Sequence, residues 1–116
     1  MKFYGLKNCD TCRKAMKELD AAGVSYEYVD VRADGVPAAT LANWIENLEA
    51  EKLVNRRSTT WRNLTEAEKA AIDDDANLQK LLQEHPTLIK RPVIEQGTEF
   101  HLGWSAQTKS ALGLTS

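Results

Sequence analysis

What this chain lacks narrows it first. In 116 residues it has two histidines, two cysteines and three prolines, and its net charge is only −2. His85 and His101 stand at spacings from Cys9 and Cys12 that fit no zinc pattern, so no metal is expected. No apolar run approaches the length of a membrane span, and the first residues contain no signal-peptide h-region. The expectation is a cytoplasmic protein without membrane contact, in a compartment that keeps thiols reduced. Charge of neither sign dominates, which removes the electrostatic case for nucleic acid as a partner. No repeat, low-complexity tract or linker interrupts the chain. A single domain over residues 1–116, acting as a monomer, is the simplest reading, and it is long enough for an apolar core without staples. A disulfide between cysteines three positions apart would constrain the unfolded chain little. The pair therefore reads as reactive rather than as scaffolding.

What is present begins with Cys9-Asp10-Thr11-Cys12. Lys2–Gly5 before it reads as a strand, and Thr11–Ala22 after it reads as a helix with Ala15, Met16, Leu19 and Ala22 along one face. Cys9 would then stand at a helix N-terminus, where unbonded N–H groups and the helix dipole favour negative charge. The thiolate is that charge and is the nucleophilic form of cysteine. Lys7, Arg13 and Lys14 push in the same direction. Cys9 is thus the candidate nucleophile, and Cys12, one turn further in, the candidate resolving thiol.

Around this motif the chain reads as α/β. Gly23 would end the first helix, and Ser25–Val31 is β-branched and aromatic enough for a second strand parallel to the first. The middle is helical. Pro37 opens a helix carrying Leu41, Trp44, Ile45 and Leu48, and Thr65–Glu68 forms a capping box. Asp73–Asp75 caps a helix over Ala76–Glu84, closed by Pro86. Val93–Glu95 and Glu99–Leu102 then flank a turn at Gln96-Gly97-Thr98, and a last helix runs from about Ser105 to Leu112. The sum is a βαβ…ββα order with a small mixed sheet, which predicts a thioredoxin-like fold with a helical insert at about 37–85. In that outline Arg91-Pro92 is a candidate cis peptide facing the CxxC turn. Arg91 would hold a carboxylate or oxyanion bidentately, or pair with acidic helices, while Pro92 would act through backbone geometry. Lys52, Arg56, Arg57 and Arg62 form the densest basic stretch, as an anion-attracting set or a solvated face.

Three segments together resemble the arsenate reductase-like (ArsC/Spx) family: Lys7–Lys14 with its CxxC, Asn55–Thr59, and Leu88–Ile94 with Arg91-Pro92. The resemblance spans nearly the whole chain and is strongest to the small YffB-type branch. It implies a thioredoxin-like core with a helical insert. It places Cys9 at the nucleophile position, Arg13 at the arginine that follows it, and Arg91 at an anion-binding arginine. Arg56 is the member of the basic stretch nearest a further oxyanion arginine, with Asn55 the alternative, and Thr11 completes the substrate-binding set. Two departures count against arsenate chemistry. Cys12 is serine in many arsenate reductases, and His101–Trp104 lacks the arginine those enzymes place near Gly103. The activity implied is glutathione-dependent thiol–disulfide reduction through a mixed disulfide on Cys9, with glutathione as co-substrate and a protein disulfide as another partner. The alternatives are a redox-sensing regulator that binds RNA polymerase, as in Spx-type relatives, and a glutathione-coupled arsenate reductase.

Overall fold

The computed structural model describes residues 1–114. In chain order the elements are β1 (Lys2–Gly5), α1 (Asp10–Ala21), β2 (Glu27–Asp30), α2 (Ala38–Asn47), α3 (Ala50–Leu53), α4 (Thr59–Arg62), α5 (Glu66–Ala70), α6 (Asp75–Glu84), β3 (Val93–Gln96), β4 (Glu99–Leu102) and α7 (Ala106–Ala111). They divide into two compact units: residues 1–30 with the chain from Arg91 onward, and Val31–Lys90.

The first unit is built on a four-stranded sheet of order β2-β1-β3-β4. β1 and β2 run parallel, joined across α1, while β1–β3 and β3–β4 are antiparallel. This is the thioredoxin-like arrangement the element order predicts. α1 turns Cys12, Ala15 and Leu19 inward, and these pack with Phe3 and Ile94 in a core whose members have no exposed surface. Burying side chains such as Phe3 and Leu19 contributes about 1.5–3 kcal/mol each. The helix stops at Gly23, whose φ of 72° lets the Gly23 N–H reach the Asp20 carbonyl and the Val24 N–H reach that of Leu19. The β3–β4 turn likewise needs Gly97, with φ 61° at the first turn position.

β2 is shorter than the sequence suggests. It spans Glu27–Asp30 rather than Ser25–Val31, because β1 offers only four partners, from Lys2 opposite Glu27 to Gly5 opposite Asp30. Tyr26 falls outside the ladder and donates its hydroxyl to Asp20, while Val31 is buried beyond the strand end.

The second unit is helical, with α2 packed on α6. Leu41 and Trp44 of the one and Leu78, Leu81 and Leu82 of the other are buried, following their helical spacing. The capping box holds: Thr65 accepts from the Glu68 N–H at 3.1 Å, and Glu68 accepts from the Thr65 N–H at 3.0 Å. Asp74 caps α6 by accepting from the Ala76 N–H. Pro86 does more than close that helix, since it opens a 3-10 turn over Pro86–Leu88. The short helices α3 and α4 are single turns that apolar periodicity does not announce. Val54 bridges Ile89, and the flanking bonds from Asn55 N–H to Leu88 O and from Lys90 N–H to Leu53 O fix that part of the unit.

Candidate active site

The CxxC turn is set by backbone before any chemistry is asked of it. Cys9 has extended backbone angles, φ −96° and ψ 121°, as an N-cap requires, and its carbonyl accepts the first helical bond from the Arg13 N–H at 2.9 Å. Its own N–H donates to Leu6 O at 3.3 Å. Asp10 adds the negative first-turn residue that the helix dipole favours. The two cysteines of this turn are both free thiols, but their surroundings differ. Cys9 is half-buried, and Cys12 has no exposed surface.

Burial pushes the Cys9 thiol up, and its neighbours more than reverse that. Cys9 makes no conventional side-chain cap, yet the Cys12 N–H and thiol favour its thiolate. So do a hydrogen bond from Arg91 and the charge of that guanidinium. The net direction is down from the ordinary value. Cys12 moves the other way. Burial, together with the hydrogen bond and charge of Cys9, pushes it up to about 12, against the opposing pull of the Leu6 amide and Arg91. One thiol of the pair is set to ionise and the other to hold its proton.

Arg91 is therefore brought to the Cys9 sulfur, as the sequence suggests. It is half-buried and precedes Pro92 across a peptide bond that is cis. Pro92 is buried, has no N–H to offer, and its carbonyl accepts from the Gly103 N–H at 2.8 Å. Any contribution it makes to a ligand is through shape. The cations expected to activate Cys9 from its own segment have other neighbours, Lys14 being exposed on α1 with its charge acting on Glu18. Lys7 lies 5.7 Å from the centre of the Tyr28 ring, and Arg13 is exposed and bonded to Asp10 at 2.6 Å. Arg91 is the cation that acts on the sulfur. Thr11 is exposed on the first turn of α1.

Arg56 belongs to the second unit. It stacks 5.5 Å from the Trp61 ring centre and lines a cleft of about 490 Å³ with Lys52, Asn55, Arg57 and Lys90. Asn55 shapes this segment by accepting from the Arg57 N–H and, through its carbonyl, from the Ser58 hydroxyl. His85 lies 3.9 Å from Glu68, and His101 lies 3.5 Å from Glu99. Among the described residues no group of three or more His, Cys, Asp or Glu is placed to hold a metal. Among the described residues no helix is long and apolar enough to cross a membrane.

One participant escaped the sequence reading. Gly5, at the end of β1, lies against Cys12: a Cβ on Gly5 would stand 2.8 Å from the Cys12 Sγ and 2.9 Å from Phe3 Cε1. A glycine within a strand is itself a sign of close approach, and that signal was available.

A thioredoxin-like sheet with a CxxC at the N-terminus of α1 and an arginine–cis-proline pair beside it defines the class. The chain belongs to the ArsC family, which it matches over residues 4–111. It is 41% identical over 108 residues to an uncharacterized protein of Haemophilus influenzae, covering 93% of this chain and 94% of that one. The solved structure of a YffB protein superposes with a TM-score of 0.88 at 36% identity, covering 95% of this chain and 96% of the other. An arsenate reductase (ArsC) related protein from Brucella melitensis gives a TM-score of 0.74 at 34% identity, over 97% and 94% of the two chains.

Proposed function

We propose that this protein is a glutathione-dependent thiol–disulfide reductase with Cys9 as its nucleophile. The observation that carries the reading is the opposed setting of the two thiols, with Arg91 favouring the Cys9 thiolate while Cys12 is buried and held protonated. The Cys9 thiolate attacks the glutathione sulfur of a mixed disulfide, forming a Cys9–glutathione disulfide and releasing the substrate thiolate, which takes a proton from water. A second glutathione thiolate then attacks the glutathione sulfur, leaving as oxidised glutathione and regenerating Cys9. In the net exchange one free glutathione and the mixed disulfide become the substrate thiol and oxidised glutathione, so one thiol and one disulfide stand on each side and no metal is needed. Arg91 has a second use here, since the guanidinium that favours the thiolate also suits a carboxylate of the tripeptide. Thr11 and Arg13, on the exposed first turn of α1, are assigned contacts to the substrate.

Cys9→Ser removes the attacking atom and should abolish turnover of a glutathione mixed disulfide. Retained activity in that variant sinks the mechanism. Intact-mass analysis after oxidised glutathione treatment tests the division of labour. An adduct of one glutathione that requires Cys9 and accumulates in Cys12→Ser is expected.

The adjacent thiols support a second reading, a disulfide-switched regulator whose partner is RNA polymerase. Capture from cell extract with the oxidised and the reduced protein separates the two. Polymerase retained in one state favours the regulator, and absence from both favours the enzyme. Arsenate reduction ranks third, because His101–Trp104 supplies no arginine for the oxyanion.

A further inference from the structure

We propose that Gly5 is a positioning residue for the Cys12 sulfur, and that the missing side chain at this point of β1 holds the thiol pair in its dithiol form. The proposal rests on reading Cys9 and Cys12 as a working pair, and it concerns what sets the balance between them.

The geometry is that of a seat. Cys12 projects from the third residue of α1 into the core of the first unit and has no exposed surface. Its sulfur reaches so close to β1 that a Cβ built on Gly5 would stand 2.8 Å away, with the Cys12 Cβ at 3.4 Å. Real carbon atoms essentially never make the first of these contacts. The other wall is Phe3, also fully buried, whose Cε1 would lie 2.9 Å from the same Cβ. The sulfur therefore occupies space that any residue except glycine would fill, and a packed core has little slack to absorb the difference. Gly5 does not have a positive φ, so a left-handed backbone is not what calls for glycine here. The close approach of Cys12 and Phe3 is.

The consequence concerns oxidation. Closing the Cys9–Cys12 bond draws the sulfurs from hydrogen-bond contact to covalent contact, and in this proposal the Cys12 sulfur is the one that moves, leaving the position that touches Gly5. With oxidised glutathione as the oxidant, the two thiols become one disulfide, and the oxidised glutathione takes up two electrons and two protons to become two reduced glutathiones. A methyl group at position 5 penalises the dithiol, whose sulfur fills the seat, more than the disulfide, whose sulfur has moved off it. Gly5→Ala should shift this equilibrium toward the disulfide by about tenfold, the scale on which one extra carbon in a packed core is felt.

The test equilibrates wild type and Gly5→Ala with glutathione buffers of graded oxidised-to-reduced ratio, reading the disulfide by intact mass after acid quench and thiol alkylation. A midpoint moved about tenfold toward the disulfide is expected. An unchanged midpoint, a shift toward the dithiol, or absence of the disulfide from both proteins overturns the proposal. A thermal-melting cycle of Gly5→Ala, Cys12→Ala and the double variant covers the case in which Gly5→Ala folds poorly. Removing the sulfur should relieve part of the defect, so the double variant melts higher than additivity allows. Additive losses, or failure of both Gly5 variants to fold, would place the whole conflict at Phe3 and overturn the seat. Neither measurement needs turnover, so a failed seat and a failed reductase are told apart.

Discussion

The two units bury different kinds of atoms. Every fully or nearly buried side chain of Val31–Lys90 is hydrocarbon or indole: Val31, Val36, Leu41, Trp44, Leu53, Val54, Leu64, Leu78, Leu81, Leu82, Leu88 and Ile89. Its polar side chains go to helix starts such as Ser58, Thr65 and Asp74. The first unit instead places titratable groups in its interior. Cys12 packs among Phe3, Ala15, Leu19 and Ile94, and Tyr4 is buried with its hydroxyl on Glu95 at 3.3 Å. Burying an ionisable group costs stability unless it stays neutral. A core built that way is tuned to a protonation state, whereas a hydrocarbon core is indifferent to it.

The comparison can be broken by experiment. Trp44→Ala in the second unit should show the largest loss, about 3–5 kcal/mol by urea unfolding, as for deletion of a large buried aromatic. The interior of the first unit should respond to alkali. The Cys12 thiol moves from 9.0 to about 12 in the fold, and the Tyr4 hydroxyl from 10.0 to about 12, burial being the main cause for both. Both pKa values are raised, so the unfolded chain loses these protons first and binds fewer of them in the window. Stability from these two groups is complete below pH 9 and lost as the pH rises from about 9 toward 12. Cys12→Ala with Tyr4→Phe should flatten that decline in chemical denaturation, and an unchanged slope would count against the contrast. Arg91→Ala should raise the Cys9 pKa and slow its alkylation about tenfold between pH 6 and 7, through loss of a cation beside the sulfur. Thr65→Ala, which removes a surface cap, should cost about 1 kcal/mol in the same urea assay. Arg13→Ala breaks only an exposed ion pair with Asp10 and should leave the urea midpoint in place.

Much of this was legible from residue order because local chemistry decides it. The helix after Cys12, its stop at Gly23, the Thr65–Glu68 box and the β3–β4 hairpin each follow from a few neighbouring residues. Arg91-Pro92 could be set against the CxxC because the element order implies which strand faces the turn. What resisted reading depends on partners distant in sequence. The ends of β2 are fixed by how many residues β1 offers. The cation that acts on Cys9 is Arg91, and the nearer Lys7 and Arg13 are engaged with Tyr28 and Asp10. Gly5 looked like an ordinary strand terminus until the Cys12 sulfur was found against it. The turns α3 and α4 are too short for periodicity to show.

The segment order has a consequence for the nascent chain. Cys9 and Arg91 belong to the same unit, yet all of Val31–Lys90 is synthesised between them. At roughly 5–20 residues per second, the ribosome makes the thiol several seconds before its counter-charge. Through that interval Cys9 has neither Arg91 nor the β3 and β4 strands that complete the sheet. The newborn protein therefore carries Cys9 without the neighbour that favours its thiolate until the last quarter of the chain arrives.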